Sequence, residues 1–122
     1  MEYNSIIKNE ESLIQYINTY NWDDGFDIPY EILSEEECTL QVALLMFELA
    51  DGFVYLETRG AESSFPDWLG FISALYNKIL NKEYKIGKYA YHPSLSNVQI
   101  YKLKKQLSEN EYVFITPVNS CD

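Results

Sequence analysis

The sequence predicts a mainly α fold: a single-domain bundle over residues 1–122, with about four to five helices around a central apolar helix at 40–51 and a small C-terminal strand pair. Three observations predict it. A chain of 122 residues suits one hydrophobic core. Its composition, 47% hydrophobic and 23% charged, is that of a folded globular protein and not of a disordered one. Apolar residues also recur at helical spacing in several segments, one of them apolar almost all round.

In the first element, "NEESLIQYINTY", Leu13, Ile14, Ile17 and Tyr20 form a helical stripe, and Glu10 and Glu11 sit in the first turn where the helix dipole favours negative charge. A turn, "NTYNWDDGFDIP", follows. Gly25 is expected to supply its reversal, Trp22 and Phe26 to pin it to the core, and at least one of its aspartates to bond the local backbone. In "IPYEILS", Pro29 suits a first helical position, and Ile28, Ile32 and Leu33 close a short helix over the core.

Thr39 then caps a helix whose body runs to Asp51 and whose end is marked by Gly52. Within Leu40 to Ala50 only Gln41 and Glu48 are plainly polar. They are seven apart, nearly on one face, so this helix should cross the middle of the domain. Phe53 to Leu56 reads as strand or as a turn of helix, since periodicity cannot decide so short a run, and the residues from there to Phe65 read as a loop. Pro66 opens a long amphipathic helix with Trp68, Ile72, Leu75 and Ile79 inward, broadened by Leu69, Tyr76 and Leu80. After the irregular "KEYKIGKYAYHP", Ser96 caps a last helix that turns Ile100, Leu103 and Leu107 inward and three lysines outward. The β-branched and aromatic "EYVFITPV" suggests a strand, for which Phe53 to Leu56 is the expected partner. No repeat of fixed period and no low-complexity tract occurs.

Charge narrows the function. The net is −10, and it is uneven: 15 acidic and 2 basic residues up to Asp67 give −13, and 4 acidic and 7 basic residues after it give +3. Nucleic-acid affinity comes largely from neutralised phosphates, so the sign disfavours a nucleic-acid partner, and it disfavours an anionic membrane surface too. "LQVALLMFELA" falls short of the roughly 20 residues a membrane span needs and contains Glu48. The N-terminus lacks the basic start and apolar run of a secretory signal, which places the expected location in the cytoplasm. Cys38 and Cys121 form no CxxC pair and read as free thiols.

Catalytic constellations are weak. His92 in "YAYHPSLS" has no nucleophile elbow around it and reads as a surface loop histidine. Asp23 with Asp27 or Glu31 could be drawn as an acid and base pair, as could many pairs in an acidic chain. "NWDDGFD" shares alternating oxygen residues before a glycine with calcium loops, but Pro29 intervenes before Glu31 and a full ligand set is missing. No GxGxxG or GxxxxGK[ST] loop occurs. No metal, no cofactor and no enzymatic activity are therefore expected. Eleven tyrosines, 6 phenylalanines and 2 tryptophans exceed what the helical stripes need, and aromatics beside carboxylates suit protein recognition.

"NWDDGFDIPYEIL" followed by "CTLQVALLMFELADGFVYLE" resembles an uncharacterised bacterial family catalogued as domain of unknown function 4274. Its members share a Trp-Asp-Asp-Gly opening, a cysteine-containing approach to an Ala-Leu-rich helix and an Ala-Asp-Gly ending. The matching positions include Trp22, Asp23, Asp24, Gly25, Pro29, Cys38, Phe47, Ala50, Asp51, Gly52 and Tyr55, within about Asn18 to Glu57, and a softer likeness runs to Pro93. The resemblance implies a bacterial or bacterial-like domain and brings no activity or catalytic residue. In size, charge and style the chain is similar to immunity proteins of polymorphic toxin systems, which is an analogy of type and not of site.

The expectation is therefore a non-enzymatic protein-binding domain: an immunity protein that neutralises a cognate bacterial toxin through an acidic, aromatic-containing surface that meets a basic protein partner. The alternative is a general interaction or adapter domain without a toxin, and a carboxylate hydrolase stands behind both. The expected contacts are Asp23, Asp24, Asp27, Glu31, Glu35, Glu36 and Glu37, with Tyr30 as an anchor; of these Asp27 and Glu31 lie beyond the turn and are the freest to meet a partner.

Overall fold

A computed structural model describes residues 9–61 and 65–118, and it is mainly helical. In chain order the elements are α1 (Glu10–Thr19), a 3-10 turn (Trp22–Asp24), α2 (Asp27–Leu33), α3 (Leu40–Leu49), α4 (Gly52–Thr58), α5 (Pro66–Leu80), α6 (Asn97–Lys104) and a 3-10 helix (Glu109–Ile115). Among the described residues, none of these helices is long and apolar enough to cross a membrane. Cys121, and residues 62–64 of the loop read ahead of Pro66, lie outside the described residues.

α1 starts where the Asn9 side chain accepts from the Ser12 amide at 2.8 Å, satisfying one of the unpaired N–H groups of the first turn. Leu13 and Ile17 are buried, and Ile14 is half-buried. α2 begins at Asp27, which puts the buried Pro29 third and not first; the whole first turn lacks intrahelical acceptors, so proline is tolerated there as well. α3 carries the centre of the core as expected. Val42, Ala43, Leu44, Met46 and Phe47 are all at 1% exposure or less, and Thr39 caps the helix by accepting from the Val42 amide.

The end of α3 differs from expectation. Asp51, not Gly52, takes the left-handed conformation (φ 62°), which a short polar side chain tolerates, and Gly52 opens α4. The glycine serves close approach: a Cβ on it would lie 2.3 Å from the Phe47 ring.

The bundle has six α-helices among the described residues, more than the four to five expected, and the expected strand pair is absent there. Phe53 to Leu56 is helical, burying Leu56 and half-burying Phe53 and Tyr55. "EYVFITPV" is mostly 3-10 helix because Ser108 and Glu111 form a capping box: the Ser108 amide donates to Glu111 Oε1 at 3.0 Å, and the Ser108 hydroxyl meets the third-position amide. The S-x-x-E signature outweighs the β propensity of the residues after it. Among the described residues, extended pairing is confined to one antiparallel bridge, Tyr91 with Val118, at 2.8 and 2.9 Å.

α5 has its proline at the start as predicted, but its buried stripe is Phe71, Ile72, Leu75 and Ile79, with Trp68 only half-buried. The helix is rolled so that Phe71 takes the central place. α6 opens with a second capping box, Ser96 with Gln99, and buries Leu103, with Leu107 buried just beyond it.

The polar face of α3 is taken up by the segment that follows α5, with Gln41 buried and Glu48 half-buried. Gln41, at 2% exposure, donates to the Gly87 carbonyl at 3.1 Å and accepts from the Gly87 amide at 2.7 Å. Glu48 accepts from the Tyr91 hydroxyl at 3.0 Å and the Ser94 amide at 2.9 Å. The two polar residues seven apart thus fasten the irregular segment between α5 and α6 across the central helix. The C-terminal 3-10 helix is fixed by ring contacts, Phe114 lying 4.5 Å from Phe47 and parallel to Tyr76 at 5.2 Å. It is also fixed by an ion pair, Arg59 to Glu111 at 2.5 Å, with the Tyr76 hydroxyl donating to the same carboxylate oxygen.

Candidate functional site

The stretch Asn18 to Pro29 is built as a rigid corner. Asn21 closes the turn, its side chain accepting from the Asp23 amide at 3.1 Å and its carbonyl from the Asp24 amide at 2.9 Å. The asparagine therefore supplies the local backbone bond expected of an aspartate. Gly25 has φ 99°, a conformation that L side chains rarely adopt, and its carbonyl accepts from the Tyr20 hydroxyl at 2.6 Å. Trp22 sits edge-on to Tyr20 at 5.2 Å and near Phe71 at 6.1 Å, and Phe26 stacks on Phe71 at 5.1 Å. Phe71 in α5 thus holds both aromatic residues of the turn and leaves Asp23, Asp24 and Asp27 exposed.

Opposite this corner is a second one, where α3 gives way to α4 and α5 begins. The Trp68 indole donates to the Ala50 carbonyl at 2.6 Å, tying the start of α5 to the residue before Asp51. Between the two corners lies a groove of about 660 Å³. Its apolar lining comes from Trp22, Phe26, Val54, Phe65 and Trp68, and its carboxylates from Asp23, Asp51 and Asp67. No lysine, arginine or histidine is among its described lining residues. A smaller cleft of about 440 Å³ shares Gly25, Phe26, Pro66 and Asp67 with it and reaches Asp27 and Tyr30.

The expected contact residues divide between places. Asp23 lines the groove between the two corners, and Asp27 and Tyr30 line the adjoining cleft. Asp24 and Asp27 border a third hollow beside Tyr16 and Tyr20. The hydroxyls of those tyrosines are held above the ordinary tyrosine range, by burial first and by the Asp24 carboxylate second. Glu31 is exposed on α2, near enough to add to the rise at Tyr16. Glu35 is half-buried and faces the Cys38 thiol electrostatically.

Glu36 and Glu37 lie apart, in a cleft of about 690 Å³ whose lining includes Lys85 and Lys88. The other acids there are engaged internally. Glu10 accepts from the Thr39 hydroxyl at 2.5 Å and the Lys88 amide at 2.8 Å, and Glu11 from the Tyr89 hydroxyl at 3.0 Å. That cleft is a seam of the fold with mixed charge.

Sequence reasoning missed Asp51, Val54, Asp67 and Trp68 as one wall of the groove. A signal existed in the left-handed requirement before a glycine and in an aspartate placed directly after Pro66, but neither shows that the two corners face each other.

The buried Cys38 thiol is pushed up to about 12, by burial above all, so at neutral pH it is protonated and poor as a nucleophile. His92 is exposed in its loop. Among the described residues no group of three or more His, Cys, Asp or Glu side chains is arranged to hold a metal ion.

A family model matches residues 8–80, and its description is a domain of unknown function, DUF4274. The whole described lining of the groove falls inside that span. No curated protein and no solved structure matches the chain.

Proposed function

Because the chain belongs to the DUF4274 family, whose description assigns no activity, we propose from its surface chemistry that it works by binding a protein partner and not by catalysis. The observation that carries this reading is the outward carboxylates of the family-matched turn, set around a preformed groove with exposed or half-exposed rings and no cation in its described lining. Such a surface attracts a basic partner and orients it, while the rings supply contact area. The −13 carried up to Asp67 adds long-range steering of the same sign.

In its specific form the proposal is an immunity protein that covers the basic surface of a cognate toxin. The test is expression of the neighbouring gene with and without this chain, scored for growth, followed by isolation of the complex. Protection, with an affinity that weakens at high salt and on reversal of Asp23, Asp27 and Glu31, supports it. A complex without any toxicity removes the immunity role and leaves an adapter. An affinity insensitive to salt and to the reversals removes the electrostatic interface altogether.

A further inference from the structure

We infer that the groove between the Trp22–Gly25 corner and the Asp51 and Pro66–Trp68 corner seats an arginine-bearing segment of the partner, with apolar residues flanking the arginine. This deepens the reading above and rests on it. Three features of the groove point to this occupant. Its walls are apolar and open to solvent, Val54 being 49% and Phe65 70% exposed, so a bound segment would remove apolar surface from water. The charged residues of its described lining are all negative, Asp23 belonging to the Trp22–Gly25 corner and Asp51 and Asp67 to the other. Tryptophan rings and carboxylates are the surroundings a guanidinium satisfies best, since it stacks on an aromatic face and donates in a planar fork, which an ammonium cannot do.

The volume, about 660 Å³, is that of a site for a short stretch of chain, not for one ion or one methyl group. The site is also largely ready-made. The Tyr20 hydroxyl bond to Gly25 and the Trp68 indole bond to Ala50 fix the two walls independently, which lowers the ordering cost of binding. The cleft at Glu36 and Glu37 lacks this chemistry, because Lys85 and Lys88 share its lining.

Both tryptophans of the chain, Trp22 and Trp68, line this groove, so intrinsic fluorescence reports its occupancy without a label. The probe is an amidated hexapeptide of alternating arginine and leucine, titrated into the full chain beside lysine–leucine and glutamate–leucine counterparts. A saturable change in tryptophan emission is expected with the arginine peptide, several-fold weaker affinity with the lysine peptide and none with the glutamate peptide. Asp23→Asn with Asp67→Asn, both exposed positions, should weaken the arginine peptide about tenfold or more by removing two charge-assisted bonds. Glu36→Gln with Glu37→Gln removes the same charge elsewhere and should leave affinity within about twofold after allowance for screening.

Equal weakening by the two double variants, or no saturable change at millimolar arginine peptide, overturns the groove while leaving a basic partner bound at another surface. Equal affinity for the glutamate peptide overturns both the groove and the electrostatic reading beneath it.

Discussion

Replacing Gln41 tests how the central helix holds the segment that follows α5. The side chain is 2% exposed and makes two hydrogen bonds to one buried residue, one to the Gly87 carbonyl and one from its amide. Gln41→Met keeps the length of the side chain and removes both bonds, leaving a buried N–H and a buried C=O unpaired at about 1–3 kcal/mol each. The expected loss is roughly 2–6 kcal/mol, or a fall in Tm of roughly 8–24 °C for a domain of this size.

Gln41→Glu separates the hydrogen-bond explanation from simple loss of packing. Ionised, the introduced carboxylate can accept from the Gly87 amide but puts an oxygen against the Gly87 carbonyl, with the Glu10 carboxylate close to the same glycine. Protonated, it can remake both bonds. Its folded pKa is therefore raised above the unfolded value of about 4.3, so the folded state binds the proton more tightly. Stability relative to the parent chain is then recovered below about pH 4 and lost as pH rises through the window up to the folded pKa, by up to roughly 3 kcal/mol. Denaturant titrations of the parent and both variants at pH 4 and pH 7 measure this. If both variants stay within about 1 kcal/mol of the parent, or if the methionine and glutamate variants share one pH profile, the reasoning is refuted.

Gly52→Ala should cost about 1–3 kcal/mol by forcing the Phe47 ring aside, and the same change made in a Phe47→Leu background should cost less in a thermal melt, since the two residues share one contact. Glu111, held down at about 2 mainly by its bond from Arg59, contributes stability that is fully present above about pH 4.5 and lost as pH falls toward 2. Because the Arg59 side chain is 41% exposed, solvent screening reduces that contribution to about 1–2 kcal/mol; Glu111→Gln should flatten the acid limb of stability measured by circular dichroism. Cys38 should resist iodoacetamide at pH 8 in the native chain and react once urea unfolds it, followed on its own peptide by mass spectrometry.

The elements read most securely from sequence were those where periodicity and a capping residue agree. Thr39 before the apolar run, Pro66 at the head of α5 and Ser96 before α6 each mark a start that the structure keeps. Reading failed where two short-range signals competed. Val113, Phe114 and Ile115 favour a strand, but the Ser108 and Glu111 capping box winds them into a 3-10 helix, and Gly52 reads as a stop although it begins a helix. The candidate site was half visible for another reason. Asp23, Asp27 and Tyr30 lie in one conspicuous motif, whereas Asp51, Val54, Asp67 and Trp68 join them only through the packing of α5 across the chain, a long-range fact without a local marker.

The fastening of the segment after α5 onto α3 means that the family match and the packed core have different limits in this protein. The family match stops at Leu80, yet Gln41, Glu48 and Phe47 find their partners in Gly87, Tyr91 and Phe114, all beyond it. A polypeptide cut after Leu80 would carry every described lining residue of the groove and still present the bare flank of its own central helix to water. Grafting the groove elsewhere, or isolating it for binding studies, therefore requires carrying along residues 81–118, which contribute nothing to its described lining but keep its foundation closed.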